Sequence, residues 1–201
     1  MPTLAVDYDT LLETSRRLDW RFLLAGRKLG RVVCLGEHDP ELVEALRLFS
    51  DSLAESNAVS ELSDRSCDLV VVRNANIEEL EDAVSLLRPA GWLYAEVERS
   101  RRGGRRSALS VRSCARACRQ LDLLEIATYV HWPDFQSCRA IVPLDSPAVL
   151  RHALARTRKE GRADLLSRLG PALAATGLLA RVVPCASVVA RRGPSGAEDA
   201  S

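Results

Sequence analysis

The side chain best suited to moving a proton is His131, in the run YVHWPDF. It closes the segment LLEIATYVHW, whose apolar content predicts a strand, and an imidazole at the carboxyl end of a strand can take a proton from a hydroxyl near neutral pH. Tyr129, Trp132 and Phe135 stand beside it and could line a substrate pocket; equally, HWPDF reads as a rigid turn whose aromatics plug the end of the sheet. Asn74 and Asn76 follow the apolar run CDLVVV directly, where amides could hydrogen-bond a ligand or serve an ordinary turn. Glu96 and Glu98 close another strand pattern and fall on one side of it by alternation. His38 lies beside a helix start, and His152 falls inside a helical pattern. No paired-carboxylate, Ser-His-Asp or Cys-His arrangement emerges from spacing alone.

The six cysteines, 34, 67, 114, 118, 138 and 185, are scattered. Cys114 and Cys118 share a helical face, but no second pair stands at zinc spacing, so no metal is expected. Arginines crowd one stretch, at 99, 101, 102, 105, 106, 112, 116 and 119, around Gly103-Gly104. No aromatic side chain is interleaved for base stacking, and Lys+Arg 28 against Asp+Glu 27 leaves a net charge of +1, so composition argues against nucleic acid. A phosphorylated ligand or an acidic partner remains compatible with that stretch, as does a solvated loop. PTLAVDYDTLL after Met1 lacks the basic start and apolar core of a signal peptide, and no run approaches the ~20 apolar residues of a membrane span. A cytoplasmic protein with free thiols is the expectation, and no membrane partner.

These residues need elements to hold them. RVVCLG, 31–36, reads as a doubly covered strand ending on a glycine, and Asp39-Pro40 supplies a cap and first-turn proline for the helix that follows. Helical patterns precede it in DYDTLLETSRRLDWRFLLAG, with Gly26 as a stop. A short second strand is placed near Ser52 to Glu55, and CDLVVV, 67–72, is a clear buried strand. IEELEDAVSLLRPAGWLYAEVE predicts a helix through Leu87, a turn at Pro89 to Gly91 and a strand from Trp92 to Val97. The helix SVRSCARACRQL and strands at LLEIATYVHW and CRAIVPLD come next. Helical patterns at PAVLRHALARTR and ADLLSRLGPALAAT, then strand-like LLARVV and ASVVARR, complete the chain. Alternation of strands and helices over 201 residues predicts one α/β domain with a mainly parallel sheet whose ligands meet the carboxyl strand ends. We divide the chain into an N-terminal helical segment (1–28), the α/β domain (29–146), a C-terminal extension packed on it (147–192) and a tail of disordered composition (193–201).

VVCLG with its helix, CDLVVV, and above all LEDAVSLLRPAGWLYAEVE resemble, in order and spacing, the Rossmann-like (class I) S-adenosylmethionine-dependent methyltransferases, from about Leu29 to Asp145. The resemblance implies a Rossmann-like sheet, mainly parallel with an antiparallel strand, and S-adenosylmethionine as cofactor. In that family a glycine-rich loop lets backbone approach the methionine moiety, and an acid ending the second strand takes the ribose hydroxyls. Carried over, the loop is Gly36, Glu37, His38 and Asp39, with Gly36 the one glycine retained. The ribose acid is Glu55, with Asp51 as alternative, and Asn74 lies at the cofactor edge. Asn76, Tyr129 and Trp132 would meet the acceptor, and His131 would be the base. The interval between Gly36 and Asp68 is too short for the family's third strand. The implied activity is methyl transfer to a small-molecule biosynthetic intermediate; the alternative is a non-catalytic domain acting as a protein partner or scaffold. Two helices and two strand-like pieces beyond Asp145 could complete the sheet or form a homodimer surface. A second parse makes this last pair the terminal strands and HWPDF an insertion over the site.

Overall fold

The computed structural model describes residues 14–24, 28–36, 39–56, 66–98, 108–146, 148–150, 152 and 183–194. Strands β1 (Arg31–Leu35), β2 (Ser52–Ser56), β3 (Cys67–Arg73), β4 (Leu87–Glu98), β5 (Leu124–Trp132), β6 (Ala140–Pro143) and β7 (Cys185–Arg191) form one sheet in the order β2-β1-β3-β4-β7-β5-β6. The first four are parallel; β7 is antiparallel to both β4 and β5, and β6 antiparallel to β5. This is a Rossmann-like, mainly parallel α/β sheet with antiparallel strands on one side. The helices are α1 (Pro40–Phe49), α2 (Ile77–Leu86) and α3 (Val111–Gln120), and a 3-10 turn spans Asp19–Leu23. No helix of the described residues is long and apolar enough to cross a membrane.

Each central strand is apolar on both sides because each face is covered. Val32, Cys34, Leu69, Val71 and Tyr94 pack under Leu42 and Leu46 of α1 and under Leu18 and Trp20 of the N-terminal segment. Val33, Val70, Val72, Leu93 and Val188 pack under Leu80, Ala83 and Leu86 of α2 and Cys114 and Cys118 of α3. The expected cap forms: Asp39 accepts from Glu41 N at 3.2 Å ahead of Pro40. Asn76 accepts from Glu79 N at 2.9 Å while the Glu79 carboxylate returns to Asn76 N at 2.9 Å, a reciprocal capping box.

One segment differs from expectation. The helix ends at Leu86, and Pro89 to Gly91 form no turn between elements; they lie within β4. Its pairing steps from Cys67↔Leu87 to Leu69↔Trp92, so the extra residues bulge from the ladder, with Ala90 at φ +61°. At the C-terminus ASVVARR forms β7, as its strand-like pattern predicts, and of the alternatives it completes the sheet, inserted between β4 and β5. The helical patterns beyond 152, LLARVV up to 182 and the tail from 195 lie outside the described residues, as does 1–13. Among the described residues, no strand lies beyond β2.

Candidate functional site

The carboxyl ends of β1, β3, β4 and β5 share one edge of the sheet, and β7, running the other way, begins there. Gly36 continues β1 at φ +84°, a conformation that L side chains rarely adopt, and its N–H donates to Ser56 O at 3.2 Å. Among the described residues, a Cβ placed on it would meet nothing within 4 Å. Glu37 and His38 lie outside the described residues. Glu55, near the end of β2, is half exposed and pairs through Oε1 with Arg47 at 2.8 Å. Asp51 lies in the bend before β2, at the opposite edge of the sheet from Gly36, with its N–H bonded to Gly30 O.

Asn74 takes a left-handed conformation, φ +50°, and its Oδ1 accepts from Glu98 N at 2.7 Å, so the amide ties the end of β3 to that of β4. Asn76 is committed to the cap of α2. Glu98 leans out to Arg73, whereas Glu96 is fully buried. Its partner is a residue that no local pattern singled out. Arg17 grips Glu96 with two guanidinium nitrogens, at 2.8 and 3.0 Å, and through Nε reaches Asp39 at 3.3 Å. One guanidinium therefore bridges the loop after β1 and the end of β4. Burial opposes the Arg17 charge, but Glu96, by charge and hydrogen bonding, more than offsets it, and the pKa rises.

Tyr94 lies beneath this bridge. Trp20 stacks on it with centroids 3.7 Å apart and planes 8° from parallel. Its hydroxyl stands 3.5 Å from both Glu96 Oε1 and His131 Nε2. Burial, reinforced by the Glu96 charge, keeps the phenol protonated well beyond its ordinary range.

His131 sits within β5, paired with Ile141 of β6, in a strand and not in a lid. It is 2% exposed; Nε2 shares a 2.8 Å hydrogen bond with Ser187 Oγ of β7, and Phe135 lies 4.7 Å from its ring. Burial, then the nearby Arg17 charge, lowers its pKa to about 3. A base so weak accepts little at neutral pH, and the imidazole acts as a neutral partner within a polar chain running Ser187, His131, Tyr94, Glu96, Arg17. Cys138 Sγ is 3.7 Å from Nδ1, but its own pKa is raised by burial, so both groups disfavour a thiolate–imidazolium pair. Phe135 is buried, in keeping with aromatics plugging the sheet end, while Tyr129 and Trp132 remain part-exposed at the same edge. Trp132 precedes a cis peptide to Pro133.

The structure therefore brings Gly36, Asp39, Asn74 and His131 to one edge and adds Arg17, Trp20, Tyr94 and Ser187. No group of three or more His, Cys, Asp or Glu side chains able to hold a metal occurs among the described residues.

This sheet order is that of the Rossmann-like class I methyltransferase fold. Phosphoethanolamine N-methyltransferase 2 of Haemonchus contortus, solved with S-adenosyl-L-methionine, aligns over 96% of this chain at 10% identity with a TM-score of 0.52. An S-adenosylmethionine-dependent methyltransferase from Archaeoglobus fulgidus aligns over 92% of this chain and 100% of its own, at 12% identity and a TM-score of 0.50. The chain spans 61% of the nematode enzyme's length. Neither a family model nor a curated protein matches the sequence.

Proposed function

We propose that this chain is a methyltransferase-like protein that binds S-adenosylmethionine at the carboxyl edge of β1 and β2 and transfers its methyl group to a small-molecule biosynthetic intermediate in the cytoplasm. The observation that carries the cofactor reading is Gly36: a left-handed residue at the end of β1 where no side chain among the described residues blocks a ligand from approaching backbone. Glu55 supports it, since its carboxylate spends one oxygen on Arg47 and has acceptor capacity left for ribose hydroxyls. When bound, the cofactor supplies an activated methyl on a sulfonium. The chain's own contribution would be to position the acceptor and exclude water. Asp39 and Asn74 have their side chains engaged within the protein, which narrows the cofactor contacts to backbone there.

Calorimetric titration with S-adenosylmethionine and S-adenosylhomocysteine tests this reading. Micromolar binding, ~8 kcal/mol, weakened in Glu55→Ala while thermal unfolding is unchanged, is the expected result. No heat and no thermal shift at millimolar cofactor would overturn it. That outcome would favour the second reading, a non-catalytic domain that binds another protein, for which the specific support is the Arg17 bridge laid across the strand ends and the sequestered, weakly basic His131.

A further inference from the structure

The face of the molecule opposite α1 carries an unusual division of charge. α2 contains Glu78, Glu79, Glu81 and Asp82 and no basic residue; α3 contains Arg112, Arg116 and Arg119 and no acidic one. The two helices pack against each other over the same face of the sheet, and both connect strands that run in one direction, so they lie side by side and parallel. Glu78, Glu81 and Asp82 are exposed along the outer side of α2, with Ile77 41% exposed at its start. Arg116 and Arg119 are exposed along the outer side of α3, in line with Arg112 at i, i+4, i+7. None of Glu78, Glu81, Asp82, Arg116 or Arg119 enters an ion pair among the described residues.

A polyanion laid along α3 would run beside the carboxylates of α2 and be repelled. A second copy of the same face meets no such conflict. A two-fold axis lying in the interface, parallel to the two helices and midway between them, keeps the partner's helices parallel to these and brings acidic α2 of each copy onto basic α3 of the other. We propose that this face docks on itself, forming a two-fold homodimer through reciprocal α2–α3 contacts. Exposed ion pairs contribute little individually, so the association is weak and salt-sensitive, and the complementarity chiefly sets orientation and encounter rate.

Sedimentation velocity of the full chain at low salt, ~0.05 M, and at ~1 M, where the screening length falls to ~3 Å, tests the proposal. A reversible dimer at low salt that loses at least tenfold in affinity at high salt is expected. Arg116→Glu with Arg119→Glu makes both helices acidic, and Glu78→Arg with Glu81→Arg and Asp82→Arg makes both basic; each variant alone should be monomeric. Because every substituted position is exposed, unchanged thermal unfolding serves as the control. Mixed, the two variants should form a heterodimer, since both contacts then become complementary. A monomer at every salt concentration, a dimer indifferent to salt and charge reversal, or no heterodimer on mixing would each overturn the proposal. So would an oligonucleotide that binds the wild type through Arg116 and Arg119 without self-association.

Discussion

Arg17 faces two carboxylates, and both are buried with it. Removing the guanidinium strands Asp39 and Glu96 together, whereas removing the Glu96 charge leaves Arg17 its Asp39 partner. Breaking a buried pair from one side costs ~3–5 kcal/mol, because the remaining charge stays out of water. Arg17→Met is therefore expected to destabilise by that amount in urea unfolding, Glu96→Gln by less, and Arg17→Met with Glu96→Gln by less than the sum of the two single changes. His131 supplies a second prediction. Unfolding returns its pKa from about 3 to the ordinary 6.5, so below 6.5 the unfolded chain binds a proton that the folded chain refuses. Stability falls as pH drops from 6.5 toward 3, with a slope of up to ~1.4 kcal/mol per pH unit from this group. Equilibrium unfolding between pH 7 and 5, above the range of most carboxylates, should show the slope in the wild type and its flattening in His131→Gln. An unchanged slope would mean that the imidazole is protonated in the folded state.

At the scale of elements, Asn76 distinguishes structure from chemistry. Its side chain and Glu79 close both ends of a capping box, so Asn76→Ala is expected to cost ~1 kcal/mol of stability. If its role is confined to the cap, cofactor affinity by calorimetry will not move; a fall in affinity with stability intact would make it a ligand contact. Other local devices, though not this box, were legible in the chain itself. Asp39-Pro40 announces α1, and VVCL and CDLVVV announce strands covered on both faces. What could not be read is what long-range pairing decides. Pro89 to Gly91 carry the composition of a turn, yet Gly91 packs where a Cβ would lie 2.9 Å from the carbonyl oxygen of Cys67, a contact created only when β3 and β4 pair. The end of α2 is likewise closed from afar, by Arg192 donating to the carbonyls of Val84 and Leu87 at 2.7 and 2.6 Å. The insertion of β7 between β4 and β5 leaves no local mark, because a strand's pattern records its burial and not its neighbours. Arg17 escaped for the same reason: its partner is 79 positions away, and SRRLDWRF reads as one more polar-apolar helix turn.

For the molecule as a whole, the polar chain from Ser187 to Arg17 joins the antiparallel side of the sheet to the parallel side and fastens the N-terminal segment over both. Within 18–24 the backbone of that segment closes only a 3-10 turn, in which Arg21 N bonds to Leu18 O and Leu24 N to Arg21 O. An isolated 3-10 turn frays at almost no cost, so protection of these amides must come from what Arg17 and Trp20 grip. Hydrogen exchange is accordingly expected to show Arg21 and Leu24 protected in the wild type far beyond an isolated turn. In Arg17→Met these two should exchange near the unprotected rate, while Val70 and Val71 in the buried centre of β3 keep the protection set by global unfolding. If all four lose protection in parallel, the bridge stabilises the whole fold without a separable N-terminal unit. If none does, the Trp20–Tyr94 stack alone holds the segment, and Trp20→Ala should release it.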